Sequence, residues 1–405
     1  MLERTSSALS LREQIEGEIH QHGPMSFSRY MHLCLYDPFH GYYSRNAEQF
    51  GKAGDFYTSS DVHAVFGRLL ARQFDEIWRA LGRPAQIEIL ELGPGRGLFA
   101  RDVLDWSRKK FPDFLASLTY TLQEASPALC ARLQESLRGH LDNGKAHVGA
   151  GALTCPAERS SAAADIHRTL ASEVPLIVFA NEFFDALPVE ILSPAGKLHI
   201  ALENNRLHEI WLPPLAEELE FLDRYGVHPE AGERIEVPLL AQTWVQKIAP
   251  LIEQGLLLII DYGYTRNEQL AGRYRGTLMA YRHHSASPDP YQAPGEQDLT
   301  AHVNFTALAG ACELGGMRCE RLLTESQFLM GIGEGNQFAD AFEDCCVPQE
   351  RAKVALQLKH LITPVGMGEN FQVLIASLGI DRKKISALSG LSFGSGSQLS
   401  ALSSR

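Results

Sequence analysis

The run Glu91-Leu92-Gly93-Pro94-Gly95-Arg96-Gly97 sets an acid two residues before three alternating glycines. A glycine-rich turn between a strand and a helix lets a ligand approach the backbone closely, and the helix that follows offers free N–H groups. The dinucleotide fingerprint G-x-G-x-x-G would need a glycine at position 98, where Leu98 stands. A P-loop would need Lys-Ser or Lys-Thr after the glycines, and neither is present. The E-x-G-x-G-x-G form belongs with S-adenosylmethionine, which has no phosphates and so tolerates the acid. Glu91 can face its ammonium, directly or through water. Glu124, closing the next strand, can accept hydrogen bonds from both ribose hydroxyls.

A second cluster is Asn181-Glu182-Phe183-Phe184-Asp185-Ala186-Leu187-Pro188, after another apolar run. Carboxyl ends of strands line the ligand crevice in open α/β sheets. An amide, two carboxylates and two aromatic rings suit a cationic or amine substrate there. The same residues also suit a helix start, with Asn181 capping and both phenylalanines in the core. Asp261, in Asp261-Tyr262-Gly263-Tyr264, ends a third apolar run, either in reach of the site or as a turn acid. Gly54-Asp55-Phe56-Tyr57-Thr58-Ser59 reads as a lid across the cofactor, with Asp55 covering it, or as a plain turn. His283, His284 and His302 are isolated histidines of the kind that more often lie on the surface, and they are left out of the site.

These residues need elements to hold them. Leu11, Ile15 and Ile19 share one helix face, and a second helix runs through Val65, Leu69, Leu70, Phe74 and Ile77 with Ser59, Ser60 or Asp61 as caps. Leu35 to Tyr43 reads as a loop or tight hairpin. Strands at Ile87–Leu92, Leu118–Gln123, Leu176–Ala180 and Leu256–Ile260 alternate with helices at Phe99–Trp106 and Pro127–Leu137. That alternation predicts a Rossmann-like α/β core, a mostly parallel sheet with helices on both faces. Residues 1–80 form a helical cap, 81–380 the core, and 381–405 a flexible tail rich in Ser, Gly and Leu. His199–Ala201 and Leu207–Leu212 flank Glu203-Asn204-Asn205 as a hairpin, so about 190–245 is an inserted small β-containing lobe. Pro288, Pro290, Pro294 and Gly295 make 281–300 a long loop.

The formal net charge of −12 disfavours a general nucleic-acid surface, which needs a basic patch. The seven cysteines include no C-x-x-C pair and read as reduced thiols, so no metal site is expected. No run approaches the ~20 apolar residues of a membrane span, and the acidic start does not read as a signal or transit peptide. The expectation is a cytoplasmic protein without membrane insertion.

Taken together, Tyr36-Asp37-Pro38 with Gly41-Tyr42-Tyr43, Gly54-Asp55-Phe56, the Glu91–Gly97 loop, Asn181–Pro188, Asp261–Tyr264 and Gln297-Asp298-Leu299-Thr300-Ala301-His302-Val303 resemble the MidA-like methyltransferases. The resemblance covers about residues 24 to 378. Its mitochondrial members are assembly factors for respiratory complex I that methylate a protein arginine symmetrically. It implies an S-adenosylmethionine-dependent enzyme with a protein substrate, possible respiratory complex subunits included. Glu182 and Asp185, with Asp261, are then the catalytic candidates; Asp55, Glu91, Gly93, Gly95, Gly97, Glu124 and Asn181 are the cofactor-binding ones. A small-molecule methyltransferase, and an assembly protein that binds cofactor without turnover, remain the alternatives.

Overall fold

The structure is a computed structural model that describes residues 9–44, 64–150, 174–282, 285–287, 289–363 and 368–393. Helix α1 (Leu11–His22) starts at a capping box, with Ser10 accepting from Glu13 N and Glu13 reaching back, and buries Leu11, Ile15 and Ile19 as their spacing predicts. Strand β1 (Met25–Ser26) and helix α2 (Phe27–Tyr36) follow. Leu35 and Tyr36 are therefore helical rather than part of a hairpin. The chain then turns on Asp37, whose Oδ1 accepts from Phe39 N and His40 N at 3.0 and 2.8 Å, into a short 3₁₀ turn at Tyr42–Ser44.

Helix α3 (Val65–Ala80) packs in the main core and not in the N-terminal layer. Strand β2 (Ile87–Leu92), helix α4 (Leu98–Lys110), β3 (Leu118–Glu124), α5 (Pro127–Ser136), β4 (Ala146–Ala150) and β5 (Leu176–Asn181) then alternate. The lobe contributes β6 (Glu190–Ser193), β7 (Gly196–Glu203), β8 (Arg206–Leu212) and β9 (Ile235–Val237). Helix α6 (Leu239–Ile248) leads into β10 (Gly255–Tyr264), which extends through Asp261–Tyr264 because β14 (Val303–Asn304) pairs with its end. Gly263 is needed there, since a Cβ would sit 2.3 Å from Val303 O.

The main sheet runs β4-β3-β2-β5-β10-β16-β15, where β15 is Arg318–Thr324 and β16 is Phe371–Leu378. Strands β4 to β10 are parallel, and β16 runs against both its neighbours. One face is covered by α3 and α4; the other by α6 and by α7 (Phe305–Leu314). Strand order reverses between β2 and β5, the crevice position where open α/β sheets bind ligands.

Residues 281–300, expected as a loop, instead contribute to a three-stranded antiparallel sheet of β11 (Met279–Arg282), β12 (Ser285–Ser287) and β13 (Asp298–Thr300). Pro290 and Pro294 fall between β12 and β13 and leave the ladders intact. The lobe hairpin turns at Asn204 and Asn205, both left-handed (φ 49° and 62°), as a tight β-turn requires. The C-terminal stretch forms short helices at Arg382–Ser386 and Ser389–Ser392 that bury Ile385, Leu388 and Leu391 against the core.

Candidate functional site

The loop after β2 has Gly93, Gly95 and Gly97 in the left-handed region at φ 64°, 55° and 71°. Their reasons differ. A Cβ on Gly93 would lie 2.9 Å from Phe183 Cδ2, and one on Gly97 2.5 Å from Leu133 Cδ2. A Cβ on Gly95 would meet nothing within 4 Å among the described residues. Two of the glycines therefore serve packing, and Gly95 fronts open space. Gly97 caps α4 without a side-chain bond, so the first N–H groups of that helix face the loop.

Alternation along β2 and β3 brings Glu91, Tyr120 and Glu124 to one face of the sheet. The Tyr120 hydroxyl donates to Glu91 Oε2 at 2.8 Å. Burial pushes the Glu91 carboxyl up to about 8, opposed by that bond and reinforced by Glu124. Glu124 accepts from Ser126 N at 2.9 Å and from Gly95 N at 3.3 Å, and burial pushes it up to about 7. A buried acid for an ammonium, a strand-end acid for hydroxyls and an open backbone edge fit S-adenosylmethionine.

The turn after β5 is built differently. Glu182 holds φ 50°, a left-handed conformation that a non-glycine residue adopts at a cost. Asp261, on neighbouring β10 and fully buried, fixes it. Its Oδ2 accepts from Phe183 N, Phe184 N and Asp185 N at 3.2, 2.9 and 3.3 Å, and its Oδ1 from Tyr262 N at 2.8 Å. Asp261 was expected among the catalytic acids. In the structure both its oxygens accept from backbone N–H groups, the arrangement of a turn acid.

Asp185 contrasts with it. Its Oδ1 is buried and has no hydrogen-bond partner among the described residues. Burial pushes Asp185 up to about 7, and burial, with Asp185 and Glu182 alongside, raises Asp261 too. Backbone N–H groups oppose the rise in both: those of Phe184 and Tyr262 at Asp261, and those of Ala186 and Asp185 at Asp185. Asn181 donates from Nδ2 to Glu182 Oε1 at 3.1 Å, while its own Oδ1 is buried and open.

Several residues that were not assigned to the site surround it. The Tyr36 hydroxyl donates to Ala186 O at 2.9 Å, and the Tyr43 hydroxyl to Asp298 Oδ1 at 2.9 Å. The two rings lie 5.6 Å apart. Burial, then the carboxyls of Asp298, Asp185 and Glu124, hold the Tyr36 phenol protonated. These tyrosines thus bridge the acids of both strand ends. His302 stacks on Tyr262 (6.2 Å, 20°), burial lowers its pKa, and its Nδ1 has no partner among the described residues. The local signal for all of them was faint: each sat in an aromatic or acidic stretch that could equally be a turn. Asp55 and its lid, and His283 and His284, lie outside the described residues. Among those described, no group of His, Cys, Asp and Glu could hold a metal ion, and no helix is long and apolar enough to cross a membrane.

The family model for S-adenosyl-L-methionine-dependent methyltransferases matches residues 69–322. The mitochondrial protein arginine methyltransferase NDUFAF7 homolog of Drosophila melanogaster is 30% identical over 92% of this chain and 85% of its own. Its counterpart in Danio rerio is 30% identical over 90% and 86%. A crystal structure from Burkholderia thailandensis, bound to S-adenosyl-homocysteine, is similar at a TM-score of 0.78 and 26% identity, covering 96% of both chains.

Proposed function

Because this chain belongs to the MidA-like family of S-adenosylmethionine-dependent methyltransferases, we propose that it transfers the methyl group to an arginine guanidinium of a protein. The observation that carries the reading is the unpartnered, buried Oδ1 of Asp185 next to the strained Glu182. A guanidinium stays charged in water at any ordinary pH and is a poor nucleophile. A buried carboxyl with one oxygen unmet, and a second carboxylate beside it, is what such a cation satisfies. The arginine methyltransferase names of the relatives point the same way.

When bound, S-adenosylmethionine supplies an electrophilic methyl on a sulfonium. Glu91, Glu124 and the Gly93–Gly97 backbone would hold it, with Asn181 beside them at the end of β5. Glu182 and Asp185 would orient the guanidinium with one nitrogen towards the cofactor, and that alignment would supply most of the rate. Approach of the cation would ionise Asp185, its proton passing to water. As the N–C bond forms and the S–C bond breaks, leaving S-adenosylhomocysteine, the ionised Asp185 is placed to accept the one proton that the guanidinium nitrogen gives up. Asp261 acts through Asp185 by fixing the turn.

The test is incubation with methyl-labelled S-adenosylmethionine and extracted protein, followed by acid hydrolysis. Label in methylarginine is expected. Label in a low-mass fraction or on another side chain would overturn the arginine reading, and absence of any label would leave only a cofactor-binding protein.

A further inference from the structure

Between the inserted lobe and the segment 276–291 lies a cavity of about 410 Å³ that no step above uses. Its walls include Leu278, Ala280 and Tyr291, and Glu236 lines it from β9. Glu236 is 2% exposed. Its Oε1 accepts from Thr277 N and Leu278 N at 2.7 and 3.0 Å. Its Oε2 is equally buried and has no partner among the described residues. An unmet carboxylate oxygen inside an apolar wall is costly unless something fills the site.

Charge decides what that is. Arg234, at the exposed rim, is already taken: it binds Glu209 through both nitrogens at 2.8 and 2.6 Å, and its guanidinium lies 5.3 Å over the Trp211 ring. The Tyr291 hydroxyl also donates to Glu209, at 2.9 Å. With that pair neutralised, the acids left facing the cavity are Glu236 inside and Asp289 at the exposed edge. Walls that are apolar at Leu278, Ala280 and Tyr291 and lead to a buried acid, with a second acid outside, match an aliphatic side chain ending in a cation.

The cavity is not the methyl-transfer cluster. Side chains alternate along β11. Ala280 lines the cavity, whereas Tyr281 belongs to the other face of the strand. None of Asn181, Glu182, Asp185 and Asp261 lines the cavity.

We propose that the lobe cavity is a docking site for a second basic side chain, Arg or Lys, of the protein that is methylated. The lobe then selects acceptors carrying a cationic residue near the modified one. The idea rests on the protein-substrate reading, and its test is separable from it.

The probe is n-butylguanidinium, titrated by saturation-transfer NMR, with S-adenosylhomocysteine present, into the full chain carrying Asp185→Asn, so that the acceptor clamp proposed above no longer competes for it. Saturable binding is expected. Added to that chain, Glu236→Gln, which keeps the Oε1 acceptor, should weaken it at least five-fold; Ala280→Leu, which fills the cavity, should abolish it. Asp289→Asn, on the exposed edge, should weaken it about two-fold. Absence of saturable binding, or binding indifferent to Glu236→Gln and Asp289→Asn, would overturn the proposal. Probe binding without methylarginine from the parent chain would defeat only the functional reading. Methylarginine from the parent chain without probe binding would defeat only this one.

Discussion

The loop after β2 and the turn after β5 sit side by side at the strand-order reversal, with the Phe183 ring against Gly93. Both leave ordinary backbone conformations behind, but they do so by different means. The glycine loop needs side chains to be absent, and glycine supplies that locally. The turn after β5 keeps a full side chain at Glu182 in the left-handed region and is held there by a carboxylate nearly eighty positions along the chain, through hydrogen bonds from 183, 184 and 185 to Asp261. One element is rigid by composition; the other is rigid by a tertiary contact. The first suits a cofactor recognised through its backbone neighbours, and the second suits precise placement of acids.

If that contrast is right, the largest effect comes from adding a side chain to the loop. Gly95→Val places a Cβ where nothing now stands and a left-handed valine at φ 55°, a strain of about 1–2 kcal/mol before any clash with ligand. Binding of S-adenosylhomocysteine by calorimetry should fall roughly 100-fold or more, and the ligand-induced rise in Tm should vanish. Tight binding by this variant would mean that the ligand does not approach the backbone there.

Next in size, Asp185→Asn should keep cofactor binding and lower turnover on a protein acceptor by about 10²–10³-fold. Glu182→Gln should do the same. Unchanged turnover in both would remove the carboxylates from the chemistry. Asp261→Asn tests the other side of the same turn. An amide cannot accept all four N–H bonds, so unfolding should show a loss of about 1–3 kcal/mol, with activity falling alongside. An unchanged melting curve would show that the turn stands without its distant support.

A smaller effect belongs to Glu124→Gln, which keeps an acceptor oxygen but loses charge. Affinity for S-adenosylhomocysteine should drop about tenfold with Tm of the free protein barely altered. The mildest is in pH. Burial raises Glu91 from 4.5 to about 8, so the fold holds this proton more tightly than the unfolded chain does. Its contribution is complete below about pH 4.5 and is lost as pH climbs to about 8. Ligand-free Tm should therefore decline across that window, and Glu91→Gln should flatten the upper part of the decline. A Tm that rises between pH 5 and 8 in the parent, with no change in the variant, would contradict a protonated Glu91.

How much of this could be read from the chain follows the same divide. Periodicity located α1, α3 and the parallel strands, because burial on one face imposes it directly. The three glycines and the acids at 91 and 124 were legible as strand-end features because their spacing marks the turn, and the structure places them there. Asp261 looked like a catalyst because a strand-end acid is ambiguous until its hydrogen-bond donors are known. Tyr36, Tyr43, Asp298 and His302 were not assigned because they reach the site across folds of chain that local pattern does not encode. The stretch 281–300 was mistaken for a loop because its prolines lie between short strands, where they interrupt no ladder.

The pairing of β1 with β7, Met25 opposite Ile200 and Ser26 opposite His199, has a consequence for anyone rebuilding this enzyme. It stitches the N-terminal layer, which carries Tyr36 and Tyr43, onto the lobe inserted after the second acidic cluster. Segments nearly two hundred residues apart are thus inherited as one part. A chimera that takes the lobe from a relative while keeping its own first helices would tear the seam and shift the tyrosines above the acids. One that exchanges 11–44 and 190–245 together would carry the seam across intact.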